Sequence, residues 1–244
     1  VFDQTSGARP ARVSFKGYEV SGGVSRRHLL IGASALAVSG CTMADQGPYV
    51  VEETSPTQYA LMYGPVRDEP YPIPAVNLSK IDPKFYRRQV RDPTGEKPGT
   101  LVVDTPSRYL YLVQERGMAM RYGIGIGRQG FDWAGDATIK MKREWPTWTP
   151  PPEMVDRQPE LEKYRDGMEP GVHNPLGARA LYLFEGNRDT LYRLHGTQEA
   201  FSIGRAVSSG CVRLLNQDII DLYNRVPVNS KVKVRPLDAP ALSV

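Results

Sequence analysis

Two short stretches carry residue types that can perform acyl transfer. One is Leu194-His195-Gly196-Thr197, and the other is Val207-Ser208-Ser209-Gly210-Cys211-Val212-Arg213-Leu214. A free thiol has a pKa near ~8.5 and is a poor nucleophile at neutral pH. A neighbouring imidazole overcomes this, either by taking the proton or by stabilising the thiolate. Gly196 lets the chain turn after His195, and Gly210 does the same before Cys211. A turn of small residues there leaves the backbone N–H groups of Gly210 and Cys211 able to face the oxyanion of a tetrahedral intermediate. Arg213, two residues on, has the fork geometry to grip a carboxylate bidentately. Nucleophile, base, oxyanion donors and anion clamp thus occur within two segments joined by one irregular loop, Phe201-Ser202-Ile203-Gly204-Arg205.

Each residue also has a plainer reading. A lone cysteine is commonly a small buried hydrophobe, and a lone histidine commonly a satisfied structural residue. Zinc binding would need further clustered ligands beside His195 and Cys211. Asp218 and Asp221 follow the motif without a recognisable metal spacing. The expectation is therefore a cysteine enzyme with no metal and no cofactor.

The paired motif resembles the signature of the L,D-transpeptidase family with the YkuD-type catalytic domain: His-Gly, a loop of middling length, then Ser-x-Gly-Cys-x-Arg. Here it reads His195-Gly196, then Ser208-Ser209-Gly210-Cys211-Val212-Arg213. The resemblance runs from about Gly99 to Pro236. It takes in Gly99-Thr100-Leu101-Val102-Val103-Asp104 and Asn174-Pro175-Leu176-Gly177-Ala178-Arg179-Ala180-Leu181. It implies Cys211 as nucleophile and His195 as base and later general acid. The Gly196 carbonyl would orient the imidazole, and Gly210 and Cys211 would supply the oxyanion hole. Arg213, with Ser208 and Ser209, would contact substrate. The implied substrate is a peptidoglycan tetrapeptide stem, attacked at its third residue with release of D-Ala. The acyl group would pass to an amine of another stem or of an envelope protein. Water as acceptor would make a carboxypeptidase instead. Carbapenems are implied as acylating inhibitors. The sequence departs from the family at Ser209, where many members carry histidine. The acid–base role that members assign to that position does not carry over to Ser209 by residue type, and His195 is the only histidine near the motif.

The elements that must position these residues read as strands. Leu101-Val102-Val103-Asp104 and Tyr109-Leu110-Tyr111-Leu112-Val113 are short apolar runs. A third begins at Met118 after a Glu115-Arg116-Gly117 hairpin. Residues 128–160 read as a loop-rich region holding Trp133, Trp145 and Trp148, which either lid the substrate groove or pack the core. Leu181–Phe184 and Leu191–His195 are further strands. Asn216 to Val226 predicts an amphipathic helix with Asn216 as its cap, and Lys231–Arg235 alternates as a closing strand. The fold expected is mostly β, a β-sandwich or partly open barrel with one late α-helix, over residues 99–237.

Ahead of it, residues 42–98 read as a proline-punctuated tether and approach segment. Residues 1–41 end in an address. Arg26-Arg27 precedes an apolar run from Leu29 to Gly40, shorter than the ~20 residues a membrane span needs. This is a twin-arginine-like signal peptide. Val38-Ser39-Gly40-Cys41 resembles a lipobox with Cys41 as the lipidated residue, and cleavage after Ala44 is the rival reading. The expected location is the periplasm or cell envelope, with a lipid membrane anchor. The chain has 244 residues and a formal net charge of +4. Its Lys and Arg residues are spread out rather than gathered in the stripe that a nucleic-acid binder shows. Mean hydropathy of −0.42 excludes a large membrane domain. Two other functions fit less well: a non-catalytic wall-binding lipoprotein, and a cysteine peptidase of another fold.

Overall fold

A computed structural model describes residues 53–127, 133–208 and 210–242. The signal segment, Cys41 and Ser209 lie outside the described residues. The strands are β1 (Arg88–Arg91), β2 (Leu101–Asp104), β3 (Tyr109–Gln114), β4 (Met118–Gly123), β5 (Ile126–Gly127), β6 (Gly135–Glu144), β7 (Arg179–Glu185), β8 (Arg188–Thr197), β9 (Ala206–Ser208), β10 (Val212–Leu215) and β11 (Lys231–Arg235). Nine of them form one mixed sheet in the order β1-β4-β3-β2-β11-β6-β7-β8-β10, and β5 pairs with β9. Most neighbours are antiparallel; β11 with β2 and β10 with β8 are parallel.

The sheet forms because the strands supply apolar residues at alternate positions. In β11, Val232 and Val234 are buried between exposed Lys231 and Lys233. Leu101, Leu110, Ile139, Leu183, Leu194, Leu214 and Val232 come from both halves of the sheet and share one core. This is the expected mostly-β domain, built on one mixed sheet of nine strands. The helix α3 (Asn216–Arg225) follows β10 and turns Ile219 and Leu222 into the same core, as its period predicts.

Three expectations change. The region 128–160 is not all loop, because β6 runs through it for ten residues. Its buried Ala137 and Ile139 are set among Asp136, Lys140, Lys142 and Arg143, so the charged face masks a weak apolar one. Asn216 does not cap α3 from outside. Leu215 holds the cap position, and the buried Asn216 side chain accepts a hydrogen bond from the Ala178 N–H at 3.0 Å.

The third change concerns the tether. Residues 55–91 are folded onto the domain. A short helix α1 (Pro56–Met62) is closed by a Ser55–Gln58 capping box, and β1 extends the sheet beyond β4. Tyr63, Ile81, Phe85 and Tyr86 pack with Ile203 and Leu215. The Gln217 amide donates to the carbonyls of Gly64 and Pro74. Glu69 takes two hydrogen bonds from the Arg179 guanidinium, at 2.6 and 2.9 Å, and one from Trp145 Nε1 at 2.7 Å. Prolines break the periodicity here without removing the anchoring side chains, so the sequence pattern conceals a docked strap.

Only 7% of the Arg179 side chain is exposed. Removing Glu69 leaves the buried guanidinium only the longer contact to exposed Glu144, at 3.7 Å, a change that costs about 3 kcal/mol. Glu69→Ala is expected to lower the urea unfolding free energy by about that much. A wild-type value would show that the strap contributes nothing to the domain.

Candidate active site

The parallel pairing of β8 with β10 builds the site. Its register sets Val212 opposite Leu194, Arg213 opposite His195, Leu214 opposite Gly196 and Leu215 opposite Thr197. Leu194, Val212 and Leu214 are fully buried in the core. Side chains alternate across a strand, so His195 and Arg213 leave by the other face; Cys211 lies just before β10, with its Sγ 3.9 Å from Leu191 O of β8.

His195 is buried, and its Nδ1 lies 2.8 Å from the Gly196 carbonyl. A carbonyl only accepts, so Nδ1 carries the hydrogen and Nε2 keeps its lone pair. Burial pushes the imidazole pKa down to about 4. The Gly196 carbonyl opposes the shift, and the charges of Arg213 and Arg193 add to it. Burial pushes the Cys211 thiol up, while the Arg193 backbone N–H and the charges of Arg193 and Arg213 pull it back. The resting pair is therefore a neutral thiol and a neutral imidazole. Of the two routes to activation, this favours proton removal by the base over a pre-formed ion pair.

Gly196 is enclosed on three sides. The Gly196 N–H donates to Leu176 O at 3.0 Å. A Cβ on Gly196 would overlap Asn216 Oδ1, and one on Gly177 would stand 2.6 Å from the Gly196 carbonyl carbon. Gly177 also has φ +62°, in the left-handed region. Asn174 fixes this turn: its amide donates to the carbonyls of Pro146, Met168 and Glu169, and its oxygen accepts from the Leu176 N–H. The Asn174–Gly177 turn and Asn216 were not predicted to support the histidine. Nothing in their residue types shows that they would meet behind Gly196.

Gly210 has φ +135°, and the Tyr192 ring would lie 3.6 Å from a Cβ there, so the residue before Cys211 is suited to glycine. Ser208 ends β9, whose backbone pairs with β5 through Gly127. Arg213 Nη1 meets Glu199 Oε2 at 2.5 Å, a partner absent from the sequence reading. The tryptophans separate. Trp145 is an anchor, bonded to Glu69 and edge-on to Tyr71. Trp148 lies against Tyr164. Only Trp133 approaches the site, stacked on Tyr192 at 5.7 Å. Among the described residues, no group of three His, Cys, Asp or Glu residues could hold a metal.

These features belong to one class of protein. The family model for the YkuD L,D-transpeptidase catalytic domain matches residues 98–234, more than half of the chain, and the chain belongs to that family. It is similar to the probable L,D-transpeptidase ErfK/SrfK of Escherichia coli strain K12, 34% identical over 156 residues, covering 61% of this chain and 46% of that protein. A putative L,D-transpeptidase of Fuscovulum blasticum is 38% identical over 137 residues, covering 55% of this chain and 68% of that one. A solved structure described as a probable carnitine operon oxidoreductase from Brucella melitensis is 46% identical. It covers 69% of this chain and 99% of that one, with a TM-score of 0.46. The chain spans about half the length of the Escherichia coli relatives it matches.

Gly177→Ala tests the support behind His195. The added methyl meets both a left-handed backbone and the Gly196 carbonyl. It is expected to cost roughly 1–3 kcal/mol in urea unfolding and to slow acylation of Cys211. Wild-type stability together with wild-type acylation would show that this contact is not needed.

Proposed function

We propose that this protein is a peptidoglycan L,D-transpeptidase in which Cys211 is the nucleophile and His195 its base. One observation supports this reading: β10, which Cys211 immediately precedes, pairs with β8 so that Arg213 stands opposite His195, and Nδ1 of His195 lies 2.8 Å from the Gly196 carbonyl, in a domain of this family.

Nε2 of the neutral imidazole takes the thiol proton as sulfur attacks the third-residue carbonyl of a tetrapeptide stem. A tetrahedral intermediate forms, its oxyanion facing the backbone N–H groups of Gly210 and Cys211. The imidazolium returns the proton to the departing amine of D-Ala, leaving a thioester. An amine then attacks the thioester, losing its proton to His195, and the thiol is regenerated. The acceptor amine belongs to another stem or to an envelope protein; water would give a carboxypeptidase.

Arg213 receives a stem carboxylate on the guanidinium donors that Glu199 leaves open, and Ser208 and Ser209 are further substrate-binding residues. Carbapenems acylate the same sulfur. The twin-arginine-like leader exports the chain to the periplasm or envelope, and lipid on Cys41 holds it at a membrane. Among the described residues, no helix is long and apolar enough to cross one.

The purified protein incubated with disaccharide-tetrapeptides tests this. Mass analysis is expected to show loss of D-Ala and a thioester on Cys211. Cys211→Ala should abolish both, and His195→Ala should slow acylation by roughly 10²–10⁴-fold. An active Cys211→Ala protein, or internal cleavage without release of D-Ala, would overturn the reading.

A further inference from the structure

Beside the nucleophile, β8 departs from regular geometry. Tyr182 of β7 faces Arg193, and Phe184 faces Asp189. Thr190, Leu191 and Tyr192 therefore stand opposite the single residue Leu183, a bulge with two extra residues. Leu191 has φ +62°, a left-handed conformation that a non-glycine aliphatic residue seldom adopts. Its side chain does not hold it there, because Leu191 is 72% exposed.

Neighbouring polar groups hold it instead. The Asp189 carboxylate accepts the Leu191 N–H at 2.9 Å and both Arg193 Nη groups at 2.7 and 2.8 Å. Thr190 Oγ1 donates to Leu183 O at 2.6 Å and accepts the Tyr192 N–H at 3.2 Å. The Arg193 guanidinium lies 4.2 Å from the Tyr182 ring centroid, which fixes it further.

What the bulge presents is main chain directed at one sulfur. The Cys211 thiol donates to Leu191 O at 3.9 Å, and the Arg193 backbone N–H donates to the same sulfur. The carbonyl suits the protonated thiol and the N–H suits the thiolate. Sulfur thus has a partner on β8 in either protonation state. The two partners are unequal. A thiol is a weak donor, and 3.9 Å is a long contact. An N–H facing a thiolate makes a charge-assisted bond, roughly twice as strong as a neutral one. The bulge therefore favours the ionised sulfur.

We propose that the bulge Asp189–Arg193 is the cradle of the catalytic sulfur, with the strained Leu191 as its positioning residue. Strain of this kind persists where the surroundings over-determine it, and it gathers at active sites. The inference rests on Cys211 being the attacking group. It can be read without substrate, so its failure is distinct from failure of the transpeptidase reading.

The test is the pH dependence of Cys211 alkylation by iodoacetamide in the full chain, followed by mass spectrometry of the Cys211 peptide. Leu191→Pro locks φ near ~−65° and removes the N–H bonded to Asp189. It is expected to raise the alkylation midpoint by about one pH unit, slowing alkylation about tenfold at any pH below it. Leu191→Gly, which accepts a left-handed φ without strain, is the rescue and should restore the wild-type midpoint. If the proline variant does not fold, Leu191→Val is read in its place, with the same upward shift expected because a β-branched residue resists positive φ. A folded proline variant, or the valine variant, with the wild-type midpoint overturns the cradle. So does a glycine variant shifted as far as proline, which would make the exposed side chain the determinant.

Discussion

One parallel strand pair governs the site. β10 lies beside β8 in the register that sets Arg213 against His195, and every chemical relation follows from it. The core fixes that register: Leu194, Val212 and Leu214 are all fully buried. A slip by one residue would turn the cysteine and arginine into the core and the apolar side chains out. The apolar face of the pair thus sets which polar residues share the other face.

The rest of the molecule keeps that pair in place. Behind β8, Gly196, whose carbonyl accepts the His195 Nδ1–H hydrogen bond, is enclosed by Gly177, Leu176 and Asn216. Asn216 opens α3, and the next residues reach the strap. Gln217 binds the carbonyls of Gly64 and Pro74. Asp218, fully buried, accepts from the Tyr63 hydroxyl and lies 3.7 Å from Arg87 Nε. Burial pushes the Asp218 carboxyl up to about 7, against the pull of Arg87. Arg87 also reaches Asp221, which accepts from the Tyr122 hydroxyl at 2.6 Å. A continuous polar network therefore runs from the strap through the first turns of α3 to the support of the imidazole.

The parts legible in sequence were those with a short-range signal. β2, β3 and β11 announced themselves as apolar or alternating runs. The His195-Gly196 and Gly210-Cys211-Val212-Arg213 pieces were legible because their chemistry is local. What stayed hidden depends on contacts between distant segments. Glu69 reads as one more charge in a proline-rich stretch until Arg179 is seen beside it. β6 was lost because four charged residues surround its two buried ones. Glu199 and Asn216 have ordinary surface chemistry, and only the turn at Gly177 and the β8–β10 pairing give them a role. The bulge in β8 leaves no trace in residue type, since leucine does not signal a left-handed backbone.

The proposed chemistry depends most on a neutral His195 that keeps its hydrogen on Nδ1 and offers Nε2 to the sulfur. Nitrogen-15 NMR of the imidazole rings reads this directly, with His195 assigned by comparison with His195→Gln among the three histidines of the chain. The expected result at pH 7 is a neutral ring protonated at Nδ1, becoming imidazolium only as the pH falls towards about 4. An imidazolium at pH 7, or a neutral ring carrying its hydrogen on Nε2, would contradict the account.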